Sequence, residues 1–145
     1  MPADLDARAL MHAQATAALG TLMDGAPYVS LVLIAFDAEG SPLLLLSRLA
    51  QHTKNLLADP RVSLLFDGTA GLEDPLTGPR LTVLGSAAVC PDPEALVRYI
   101  ERHPSAETYA GFSDFRLYKV AVARAHFVAG FGKIRWIDST TLLQS

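Results

Sequence analysis

Between Tyr28 and Phe66 the chain carries three apolar runs and only one short helical stretch to join them. Tyr28–Phe36 and Pro42–Ser47 are separated by the turn Asp37-Ala38-Glu39-Gly40. Arg61–Phe66 follows a helix-forming segment at Ala50–Ala58 that Asp59-Pro60 closes. A parallel α/β sheet needs a crossover helix after almost every strand, so this spacing excludes it. Antiparallel strands linked by hairpins remain. Leu43-Leu44-Leu45-Leu46 tightens the constraint, because it is apolar on consecutive positions rather than alternating. The first two runs are therefore expected to be covered on both faces, as when a barrel wall also carries a helix or a subunit interface.

The flanking segments fit the same plan. Leu5–Leu19 has apolar or small residues at helical spacing, with Gly20 read as its end. Thr21-Leu22-Met23 reads as a short strand and Asp24-Gly25 as a hairpin turn. Asp67–Pro79, full of Gly, Pro and Asp, is a surface loop. Arg80–Cys90 is a strand in which Gly85 marks a bulge or a close backbone approach. Asp92-Pro93-Glu94 supplies an N-cap, a proline at the first helical position and an acidic first turn; the helix runs to Arg102 and Pro104 stops it. A short helix over Ala106–Gly111, a long strand Phe115–Val128 and the tail Gly130–Ile137 complete the chain. The expected architecture is mainly β with peripheral helices (α+β), built on a six-stranded antiparallel barrel in a single domain, residues 1–145.

With 145 residues, half of them hydrophobic and 19% charged, the chain can bury a real core. Its net charge of −3 argues against nucleic acid as a partner, which needs a basic face. One cysteine, Cys90, excludes an internal disulfide and a cysteine-rich zinc site, and suits a reducing cytoplasm. Met1–Asp6 is acidic where a signal peptide is positive, and Val29–Phe36 is too short to span a bilayer as a helix. A soluble cytoplasmic protein with no membrane partner is expected. His12, His52, His103 and His126 show no metal-ligand spacing, so no metal site is expected, and His126 is assigned to a strand wall. No nucleophile elbow, Walker loop or dinucleotide fingerprint is present.

The chemistry-bearing residues gather at one strand-to-helix turn. Ser47 ends a strand, and His52, Thr53, Lys54 and Asn55 open the helix, where free N–H groups and the helix dipole favour an anion. The segment holds a cation but no carboxylate before Asp59. It reads either as an ordinary solvated helix start or as a phosphate-type site, with Lys54 as point charge and Ser47 and Thr53 as donors. Arg80, at the start of a strand, is either solvated or reaches the same ligand. Trp136 is either a packing residue or a ring-stacking one.

From about Leu10 to Ile137 the chain resembles the FMN-binding split-barrel superfamily of pyridoxamine-phosphate-oxidase-like proteins. The resemblance is carried by Leu19-Gly20-Thr21-Leu22, Gly25–Val32, Leu46-Ser47 with His52-Thr53-Lys54-Asn55-Leu56, Pro60–Phe66 and Arg80–Gly85, in that order and spacing. His52-Thr53-Lys54-Asn55 and the tail Gly130-Phe131-Gly132-Lys133-Ile134-Arg135-Trp136 are similar to the branch of heme-utilisation, heme-degrading split barrels.

The resemblance implies a six-stranded antiparallel split β-barrel and a homodimer with FMN at the subunit interface. It places Val29, Ser30, Leu31 and Val32 along the flavin ring, and Leu46 and Ser47 beside the phosphate and ribityl chain. Thr53 and Lys54 take the places of the oxidases' phosphate-binding pair, with His52 beside them. Arg80 matches a glutamine of the oxidases, and Trp136 a tryptophan from the second subunit. The tail, with Phe131 and Trp136, is expected to cross to that subunit and wall the flavin pocket. The implied function is an FMN-dependent oxidoreductase acting on a small-molecule redox substrate, with no catalytic residue assigned. The alternatives are a heme-binding or heme-degrading protein, and a non-catalytic flavin-binding or interaction module.

Overall fold

Asp24 (φ 53°) and Gly25 (φ 81°) both take the left-handed conformation. A two-residue turn of this kind matches the twist of paired strands, and it joins β1 (Thr16–Met23) to β2 (Ala26–Leu33). The structure, a computed structural model, describes residues 2–130 and 132–143. Ile34 interrupts the next apolar run, so the expected strand Tyr28–Phe36 is β2 followed by the two-residue β3 (Ala35–Phe36). The chain continues through β4 (Pro42–Ser47), α2 (Gln51–Ala58), β5 (Arg61–Asp67), β6 (Arg80–Val89), α3 (Pro93–Arg102) and β7 (Phe115–Val128). These bounds lie within a residue of those the sequence predicts.

Every strand pair is antiparallel, and the order across the sheet is β2-β1-β5-β6-β7-β4-β3. β2 and β3 stand at opposite ends of that order, yet only Ile34 separates them in the chain. The sheet must therefore curl until both edges meet in one stretch of backbone. The result is an open, split half-barrel whose wall is made by six long strands, with helices at its periphery.

Three expectations need correction. The first helix, α1 (Pro2–Ala13), ends six residues early: from Thr16 the burial alternates with period two, so Ala17 and Leu19 belong to a strand. Gly20 is no helix stop but lies within β1, where a Cβ would collide with Ser63 Oγ on β5. The tail does not leave the barrel. Gly130 (φ 139°) and Gly132 (φ 75°) turn it back, Ala129 N–H donates to Lys133 O, and β8 (Ile134–Asp138) pairs with β7 of the same chain before α4 (Ser139–Leu142). Phe131 itself lies outside the described residues.

The core has two parts. Leu19, Ile34, Leu44, Leu64, Phe66, Val83 and Tyr118 fill the barrel, and Met11, Leu56 and Leu142 from three helices close around them. Outside the wall, Leu43, Leu45 and Leu117 pack against Ala95 and Tyr99 of α3. β4 is thus covered on both faces, as its consecutive leucines predict. Within this chain β2 is covered on one face: Val29 is 70% exposed and Leu31 74%. No helix among the described residues is long and apolar enough to cross a membrane.

Candidate functional site

α2 is laced to the first hairpin by inward-facing polar groups. Asn55 Nδ2 donates to Thr21 Oγ1 at 3.1 Å, Gln51 Nε2 donates to Asn55 Oδ1 at 2.8 Å, and His52 Nδ1 lies 2.9 Å from Ser30 Oγ. Burial holds the His52 imidazole below its usual pKa. Thr53 is fully buried and its hydroxyl has no partner, whereas Lys54 beside it is exposed. Ser47 Oγ accepts from Leu49 N–H and donates to Asp114 Oδ2 at 2.9 Å. A carboxylate therefore stands at the hydroxyl assigned to a phosphate dianion. Arg80 turns to the carbonyls of Leu76 and Gly78, at 3.0 and 3.3 Å, and braces the loop before β6. Val32 and Leu46 are sealed in the barrel core.

The remaining predicted residues, Val29, Leu31 and Trp136, lie on the outer face of the sheet. The strand registers line up two rows across that face. One runs Leu31, Ala18, Leu65, Thr82, His126, Trp136; the other runs Val29, Gly20, Ser63, Leu84, Arg124, Asp138. At about 4.8 Å per strand, each row spans roughly 24 Å. Between Val29 and Thr82 the face sinks into a groove of about 500 Å³, floored by Gly20 and edged by Pro27, Arg61 and Leu65. Gly20 leaves the groove floor bare, and a Cβ there would displace the Ser63 hydroxyl.

At the β7–β8 end of the first row, the rings of His126 and Trp136 lie 4.6 Å apart, tilted by 51°. The Arg124 guanidinium sits 4.3 Å from the centre of the Trp136 ring, in range for a cation–π contact. Trp136 is half exposed, so this is a surface assembly and no core contact. Sequence reasoning assigned His126 to the wall and gave Arg124 no role. The available signal was the alternation of 124, 126 and 128 on β7 against 134, 136 and 138. It becomes readable only if the tail is taken as a strand returning on its own barrel.

The family model for pyridoxamine 5'-phosphate oxidase matches residues 4–129. The "Non-canonical heme oxygenase HOZ, chloroplastic" of Arabidopsis thaliana is 39% identical over 110 residues, which cover 74% of this chain and 33% of that protein. The solved heme-binding protein from Mycobacterium smegmatis superposes with a TM-score of 0.89 at 28% identity, over 97% of this chain and 60% of that one. HutZ of Vibrio cholerae shares the fold, with a TM-score of 0.72 at 22% identity over 84% of this chain and 91% of that chain. The chain thus spans a third of the Arabidopsis protein and three fifths of the mycobacterial one.

These relatives correct the functional expectation. The Arabidopsis and mycobacterial relatives are named for heme, not as FMN-dependent oxidoreductases. The expected FMN cofactor, the FMN-dependent enzyme and the homodimer with FMN at its interface are set aside with it. Of the residues assigned to a flavin phosphate, Ser47 is hydrogen-bonded to Asp114, Thr53 is buried, Arg80 turns to its own loop and Lys54 is exposed. Trp136, expected from a second subunit, stands opposite His126 in its own sheet. By its matched residues 4–129, its curled antiparallel half-barrel and its 39% identity to a heme-named relative, the chain belongs to the pyridoxamine 5'-phosphate oxidase family of split barrels and resembles the heme-utilisation branch.

Proposed function

We propose that this chain binds heme on the outer face of its sheet and that any catalysis it performs is heme oxidation. The observation that carries this reading is the face itself, where exposed apolar residues, an imidazole, an aromatic ring and a guanidinium stand in adjoining rows. Heme presents the matching chemistry: a large apolar ring, an iron that accepts imidazole, and carboxylates that pair with cations. The groove over Gly20 gives an apolar body somewhere to rest. The names of the Arabidopsis and mycobacterial relatives support the same ligand class, although this chain spans only part of each.

Titration with hemin, followed at the Soret band, is the test. A saturable shift in the band is expected, and Leu31→Asp should weaken binding by about 1.5–3 kcal/mol, the worth of a large apolar side chain in contact. A hemin spectrum that the protein leaves unchanged would return the chain to the class of interaction modules. For the oxidative half, ascorbate in air should bleach the bound Soret band faster than it bleaches free hemin.

A further inference from the structure

Resting on the heme reading above, we propose that His126 on β7 is the side chain that ligates the iron, with Arg124 as the counter-charge for a heme carboxylate. The fold goes out of its way to present this pair. β7 pairs with β6 through a bulge between Leu84 and Gly85, where Ala123 is the extra residue. Above the bulge Leu117 and Lys119 point outward, at odd positions; below it Arg124 and His126 do, at even positions, while Ala125 and Phe127 fill the core. Without the extra residue a regular strand would carry His126 to the barrel interior. Gly85 makes the bulge feasible, because a Cβ there would collide with the carbonyl oxygen of Ala121. Bulges that re-aim one side chain are a recurrent device beside functional sites.

The four histidines differ in what they have left to offer. His103 Nε2 is 2.7 Å from Ile34 O, and His52 Nδ1 lies 2.9 Å from Ser30 Oγ, on the side of β2 turned away from Val29 and Leu31. His12 is stacked on Phe36 at 4.1 Å, amid Arg8, Arg98 and Arg102, whose charges oppose a bound cation. His126 makes no hydrogen bond among the described residues, and its one close ring neighbour, Trp136, fixes it from the side. It also stands at the end of the apolar row rather than on a helix rim. An imidazole held on a rigid strand at the apolar face can present one nitrogen to a metal and keep the other for a hydrogen bond. Arg124 lies one row away on the same strand, and its planar guanidinium matches a carboxylate bidentately.

The experiment titrates hemin into the full chain and into His126→Gly, His12→Gln, His52→Gln and His103→Gln, reading affinity and visible absorption. Expected is at least a tenfold loss of affinity and an altered Soret band in His126→Gly alone, with the wild-type band restored by added imidazole. Should His126→Gly unfold, His126→Gln carries the same comparison. If the wild type binds hemin and His126→Gly keeps its affinity and spectrum, the ligand assignment is overturned while the heme reading stands. If another histidine variant is the one that loses the band, the ligand assignment and the outer face as the heme site fall together, while heme binding itself stands. If the wild type itself ignores hemin, both fall.

Discussion

Thr53 and Asp37 show how differently two buried polar side chains can be treated. Thr53 Oγ1, fully buried, has no partner among the described residues, and an unpaired hydroxyl costs about 1–3 kcal/mol. Thr53→Val, of the same shape, should raise stability by about 1 kcal/mol, read as a higher urea midpoint at unchanged m-value. Asp37 is fully used: its carboxylate accepts from Glu39 N–H and Ser41 N–H and pairs with Lys119 Nζ at 2.8 Å. Burial pushes its pKa up, but Lys119 and the two amides outweigh that, and the net shift is downward. A carboxyl so lowered stabilises the fold above its ordinary range and loses that contribution as pH falls through the lowered value. Urea midpoints measured between about pH 2 and 6 should therefore drop on acidification in the wild type, and drop less in Asp37→Asn. The sequence marked Asp37 as a turn residue and Thr53 as a ligand donor. Only the first was legible, because a turn is local, whereas the side of α2 that faces the barrel depends on where β1 and β2 pass.

At the scale of elements, the strands with strong local punctuation were readable almost to the residue. Pro42–Ser47, Phe115–Val128 and the capped helix from Pro93 are examples, the last with Asp92 accepting from Glu94 N–H. β8 was not, because it shows the hydrophobic signal of no buried strand: four of its five residues are exposed, and Ile137 alone reaches the core. Its existence is owed to pairing with β7, a tertiary fact. Gly85 signals a bulge or a close backbone approach, and both are found: the register shifts between Leu84 and Gly85, and the Ala121 carbonyl lies against it. Gly85→Val should cost about 1–3 kcal/mol, the penalty of overpacking, since the obstructing atom is backbone and cannot rotate away. Thermal unfolding monitored by circular dichroism would show the loss; an unchanged melting temperature would mean that β6 and β7 separate there at no cost.

At the scale of the whole molecule, the joining of the sheet's two edges through Ile34 has a consequence for the order of events during synthesis. β4 finds its short partner β3 at once, since Ala35 pairs with Leu43, but its long partner is β7, where Leu45 meets Leu117 and Ser47 meets Phe115. Contacts so distant in sequence are slow to form, and apolar surface waiting for them is exposed to wrong partners. A fragment ending before Phe115 lacks the strand that covers Leu43–Leu46, and it should bind more of a hydrophobic dye than the full chain and scatter more light. The ring of strands is a clasp that shuts late. Until β7 is available, everything already built, the first hairpin, α2 and the four leucines, is an unfinished vessel whose inside still faces water.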